Sequence, residues 1–289
     1  MKTKIQFIFG FILIMLSLLL HQSCSVFGGD ELQPAFIYID TFTLTSDLTT
    51  QGYPSKNITD AWVYVDGVQL GVFRIPAAIP ILDTGFHTIV FFPGIKINGV
   101  SGTGAIYPFY SGYSYPTELI PYQTDTVKPS TAYYTDLEFI LIERFEAGNA
   151  FSELPGSDTS LLITTDSALV FEGLRSGVAV LENSTTSLRI GTSPMLFPAV
   201  GQLLYMELDY RNNMEFEVWV TGNYSGGVPI GSYVITLSAK ENWNKVYINL
   251  GSQVNLLQAE TYSIEIRASK PSTLTRGEIY IDNVKLVAF

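Results

Sequence analysis

One thiol and two imidazoles limit the chemistry open to this 289-residue chain. Cys24 is the only cysteine, so neither a disulfide framework nor a multi-cysteine zinc site can form. His87 lies in Phe86-His87-Thr88-Ile89, an alternating pattern that makes it a satisfied strand residue rather than a general base. No Gly-x-Ser-x-Gly seats a nucleophilic serine. Glycine motifs that cradle phosphate are missing too, and Gly99 to Gly104 reads as a flexible turn. Carboxylates are plentiful, but a glycosidase-type pair needs a hydrolase core to place them. The chain reads as a non-enzyme.

The side chains suited to recognition are aromatic. Seven of the 17 tyrosines fall between Tyr107 and Tyr134, interleaved with Pro108, Pro116, Pro121 and Pro129. Two readings stand side by side. The rings of Tyr107, Tyr110, Tyr113 and Tyr115 cover a core from a long loop, or they form a contact surface for a protein partner, since tyrosine joins a large rigid area to a polar tip. Further along, Tyr210, Arg211, Asn212, Asn213, Trp219 and Tyr224 are the residues to inspect for ligand contact. Trp219 alternates with Glu217, so one of the two is expected to face inward, and core is the default for the tryptophan. Trp243, at the head of Lys245-Val246-Tyr247-Ile248, is expected to be buried.

The elements that must position these residues are strands. Hydrophobic residues make up 47% and charged residues 15%, which excludes a disordered protein. Aromatic content of 13%, 24 Gly and 14 Pro suit short strands and turns. No segment sustains a 3.6-residue period. Asp66-Gly67 between Ala61–Val65 and Val68–Phe73 is a strong hairpin signal. Sixteen basic against 27 acidic residues give a net charge of −11, which argues against nucleic acid as a partner. The expected organisation is all-β, with two β-sandwich domains in tandem. Residues 1–23 form a signal, 24–34 a tether, 35–135 the first sandwich with its Tyr/Pro-rich segment, and 136–289 the second.

Lys2 and Lys4, then an apolar run from Ile5 to Leu20, describe a secretory signal. The run is shorter than the ~20 residues of a spanning helix. Leu20-His21-Gln22-Ser23-Cys24 resembles a relaxed bacterial lipobox, which implies lipidation of Cys24 and attachment to an outer membrane on its periplasmic or cell-surface side. Removing Lys2 and Lys4 leaves 14 bases against 27 acids, or −13, so the body is expected to stand off anionic headgroups.

Two further resemblances cover most of the rest. Ala61 to Gly94, with Val-Asp-Gly and Gly-Phe-His before an apolar strand, resembles the small Ig-like sandwich of the PEGA-like and carboxypeptidase-regulatory-like families. Glu143 to Phe289 resembles a carbohydrate-binding-module-like, galactose-binding-like jelly roll, through Arg-Phe-Glu-Ala-Gly at its start and Ile-Asp-Asn-Val near its end. That likeness implies a structural calcium ion held by Glu146 and Asp282. The chain is therefore expected to be a lipid-anchored, non-catalytic adaptor or accessory subunit of an envelope complex that binds a protein partner. The alternative is a surface glycan-binding lipoprotein using the jelly roll.

Overall fold

The computed structural model describes residues 33–289, so the signal, Cys24 and most of the tether lie outside the described residues. Among the described residues the chain is all-β, built as stacked sheets with one short helix at Gly251–Leu257. No helix among the described residues is long and apolar enough to cross a membrane.

In the N-terminal half, strands Asp60–Val65 and Val68–Arg74 form the expected hairpin. Asp66 and Gly67 both take positive φ, 48° and 82°, as a type I′ turn requires. Strand Gly85–Lys96 continues this sheet, pairing with Asp60–Val65 on one side and with Tyr113–Leu119 and Gly104–Ile106 on the other. The facing sheet has Ala35–Ile39 between Ala77–Ile81 and Thr124–Val127. Ile37, Ile39, Ile79, Val63, Ile89 and Phe91 fill the space between them.

The C-terminal half is a jelly-roll sandwich. Its first sheet carries Leu162–Thr164, Ser176–Glu182, Arg276–Ala288, Leu204–Asn212 and Lys240–Asn249 in that order, with Glu138–Glu143 also paired to Arg276–Ala288. The second runs Phe151–Glu153, Ser187–Thr192, Thr261–Ser269, Phe216–Asn223, Ile230–Leu237. Met206, Leu208, Ile248 and Ile281 from the first sheet meet Val218, Val220, Ile264 and Ile266 from the second.

The first sheet is buried on both faces. Along Leu204–Asn212 the even positions point into the sandwich, while Tyr205, Glu207 and Asp209 point the other way and are covered by the N-terminal half. Tyr107 and Tyr133 donate to the Glu207 carboxylate at 2.8 and 2.9 Å, and Ser55 donates to Asp209 at 2.7 Å. Lys245 lies 2.9 Å from Glu207 as an ion pair without well-aligned hydrogen-bond geometry. Lys285 donates to the Tyr53 carbonyl at 2.7 Å. Burial opposes the charge on Glu207, yet Lys245 and Lys285 together hold its carboxyl below the usual range. Burial and the Glu207 charge push Tyr107 and Tyr133 well above ordinary tyrosine, so both stay protonated as donors.

Candidate functional site

Much of the tyrosine-rich segment is spent inside the molecule. Tyr107 and Tyr110 are fully buried at the junction, 4.6 Å apart by ring centroid, with Tyr247 at 4.7 Å from Tyr107. They cannot touch an outside partner. Tyr113 and Tyr115 are half-buried and pack against the N-terminal core. The covering reading therefore holds for the two ends of this segment, Tyr107 and Tyr110 at one and Tyr133 at the other, because the outer face of the jelly roll supplies carboxylates and rings for them to bind.

The residues named for ligand contact do not share one face. Tyr210 is core, edge-on to Phe216. Tyr224 is half-buried and donates to the Leu257 carbonyl at 2.6 Å. Arg211 lies on the first sheet, 4.5 Å above the Tyr280 ring. Trp243 is only half-buried there, 5.1 Å from Phe171.

Trp219 corrects the expectation of core. Residues two apart in a strand share a face, so Glu217 and Trp219 both point outward while Val218 and Val220 point in. On this outer face of the second sheet, register sets Arg189 and Glu217 on either side of Arg267, and Glu265 and Tyr233 on either side of Trp219. Arg267 is held from two sides. Its guanidinium lies 4.0 Å over the Trp219 ring and donates to Glu265 at 2.6 and 2.9 Å. Arg189 donates to the same carboxylate oxygen at 3.3 Å, and Thr221 to the other oxygen. Burial opposes ionisation of Glu265, but Thr221 and Arg267 keep its carboxyl below the usual range. Trp219 Nε1 donates to Glu217 at 2.7 Å, and the exposed Tyr233 ring meets Trp219 edge-on at 5.6 Å. Beside this cluster opens a cleft of ≈ 370 Å³, lined by Arg189, Glu215, Glu217, Thr236, Arg267 and Ser269. That volume falls within the ~300–1,000 Å³ of small-ligand sites. Trp219 and Glu217 alone could be found from sequence; Arg189, Glu265 and Arg267 come from strands joined only by register.

Glu146 and Asp282 do not fit a calcium ion. Glu146 accepts from the backbone N–H of Leu174 and Arg175 at 2.7 and 3.2 Å. Asp282 accepts from Ser176 at 2.7 Å and from the Asn283 backbone at 2.8 Å. Both carboxylates face hydrogen-bond donors, whereas calcium needs six to eight oxygens converging on it. Among the described residues no three His, Cys, Asp or Glu side chains gather as a metal site. His87 is a strand residue whose Nδ1 lies 2.7 Å from Asp66.

No protein-family model matches the chain, and no curated protein matches it by sequence. Solved structures do overlap with it. One describes carbohydrate-binding modules of the β-sandwich superfamily, at 11% identity and TM-score 0.39, covering 78% of this chain and 84% of that one. A family 11 carbohydrate-binding module of a Clostridium thermocellum cellulase overlaps at 12% identity and TM-score 0.39, covering 52% and 95%. A C. thermocellum xylanase 10B structure with xylohexaose overlaps at 14% identity and TM-score 0.39, covering 52% of this chain and 28% of its own.

Proposed function

We propose that this protein is a non-catalytic glycan-binding protein whose site is the open face of the second jelly-roll sheet, and that acylated Cys24 attaches it to a membrane. The observation that carries the glycan reading is the fixed guanidinium of Arg267, clamped between Glu265 and Trp219 beside the exposed Tyr233 ring. A sugar presents hydroxyls that each donate and accept, together with flat C–H faces. This face answers with fixed donors on Arg189 and Arg267, acceptors on Glu215 and Glu217, and an exposed ring. The two arginines and the carboxylates nearly balance, which suits a neutral chain better than a charged one. With Tyr107 and Tyr110 buried and Tyr113 and Tyr115 half-buried, the adaptor reading loses much of the surface that supported it. Intact-mass analysis of the membrane-extracted protein tests the attachment, since acyl chains on Cys24 add their mass.

Affinity electrophoresis of the full chain tests the glycan reading, in gels containing mixed-linkage β-glucan, xylan, galactan or polygalacturonate. Retardation is expected in at least one neutral glycan. It should fall about tenfold or more, ~1.4 kcal/mol, in Tyr233→Ala and in Arg267→Met. Arg211→Met, on the other sheet, should migrate as the parent does. No retardation in any gel, or retardation unchanged in both variants, overturns the proposal.

A further inference from the structure

The end of the N-terminal sandwich where the described chain begins carries an apolar rim. Ala35 pairs with Ile81, and the Tyr122 backbone donates to the Pro34 carbonyl, so the loops 82–84 and 120–123 flank the incoming chain. Gly85 pairs with Leu119 and Phe86 with Glu118, which adds the start of the long strand to the same end. His87 ties the hairpin tip there too, through Asp66 at 2.7 Å and Asp83 at 3.5 Å. On this one end Val68, Leu82, Phe86, Ile120 and Tyr122 are all exposed, Phe86 to 82% and Tyr122 to 72%. Scattered exposed apolar residues need no explanation, but five on one rim of a sandwich do.

The chain outside the described residues indicates what covers them. It ends on this rim, and its sequence carries the apolar run Ile5–Leu20 and Cys24. The ten steps from Cys24 to Pro34 reach at most about 35 Å, so a membrane attachment at Cys24 keeps the rim close to the bilayer. We propose that this rim is a bilayer-contacting surface, with Val68, Leu82, Phe86, Ile120 and Tyr122 settled among the headgroups of a zwitterionic membrane. Aromatic and aliphatic side chains on loops suit that boundary, where a ring is apolar at one end and wet at the other. Asp66, Asp83 and Glu118 lie on the same end and set its preference, since anionic headgroups would repel them. The rim is independent of the glycan face, which lies on the jelly roll.

The test uses the full, membrane-extracted chain in phosphatidylcholine vesicles with brominated acyl chains, which quench tryptophan on contact. Phe86→Trp replaces one exposed ring by another on the rim. Leu256→Trp places a reporter on the exposed side of the jelly-roll helix, and the signal of Trp62, Trp219 and Trp243 is subtracted with the parent. The Phe86→Trp emission is expected to shift to the blue and to lose most of its added intensity, while that of Leu256→Trp is unchanged. Replacing part of the lipid with phosphatidylserine should restore intensity at position 86. Equal, weak quenching at both positions overturns the proposal. So does a blue shift without quenching in a protein that sediments as a dimer, since the rim would then be covered by a second copy. Loss of glycan retardation leaves this outcome untouched, so the two proposals fail separately.

Discussion

Asp282 is a buried carboxylate, and among the described residues no lysine or arginine forms an ion pair with it. Burial, with Asp209 adding like charge, pushes its pKa from the ordinary 3.8 up to about 7. The folded form holds its proton more tightly than the unfolded form, so this group favours folding below about pH 4 and loses that contribution as pH rises towards 7. At pH 8 the fold carries a desolvated negative charge, which Ser176 and two backbone N–H groups only partly offset. Asp282→Asn keeps an acceptor for the Asn283 N–H and removes the charge. It should raise the melting temperature at pH 8 by a few degrees, corresponding to about 1 kcal/mol or more, and flatten the melting profile between pH 4 and 7. Melting of parent and variant across that range, with and without a chelator, checks this. A lower melting temperature for the variant at pH 8, or for the parent in chelator, would restore the calcium site.

At the scale of elements, strand Leu204–Asn212 shows what the sequence could and could not convey. Its apolar residues alternate with Tyr205, Glu207, Asp209 and Arg211, which is the pattern of a strand with one wet face. An alternation of this kind and the all-β architecture are legible from periodicity and from turn residues such as Asp66-Gly67, but the strand's partners are not. That the charged face is buried is not legible, because its partners Tyr107, Tyr133 and Ser55 lie 74 to 154 residues away. The same limit hid the second sheet's open face, where Arg189 and Arg267 meet one carboxylate only after pairing. Glu207 is the centre of the buried set. Glu207→Ala leaves Lys245 with Asp209 alone, at 3.7 Å, and two tyrosine hydroxyls without their acceptor. A loss of about 3–5 kcal/mol is expected, the usual cost of breaking a buried pair. Denaturant titration measures it. A loss below about 1 kcal/mol would mean that water reaches this network and screens it.

The whole molecule has a direction. Strand Gly85–Lys96 begins on the apolar rim, and the chain beyond its far end reaches the jelly roll, where Ile97 bridges Tyr247 and Asn98 accepts from the Asn249 backbone. Twelve residues at ~3.3 Å span roughly 40 Å. The first jelly-roll sheet faces this junction, so the second sheet, with Arg267 and Tyr233, opens on the far side, away from the proposed membrane rim. Holding that face outward requires the two halves to act as one body. The junction is built for it, because Tyr205, Tyr247 and Val287 of the jelly roll belong to the same apolar cluster as the N-terminal core. Differential scanning calorimetry of residues 24–289 should therefore show one cooperative transition, with calorimetric and van't Hoff enthalpies in agreement. Tyr107→Ala combined with Tyr110→Ala removes two buried rings from the contact and should separate the halves into two transitions, since each truncation costs about 3–5 kcal/mol. The open sheet face is remote from both residues, so glycan retardation below the first transition should persist. Two transitions already in the parent would mean that the halves unfold independently and that the junction does not orient the binding face.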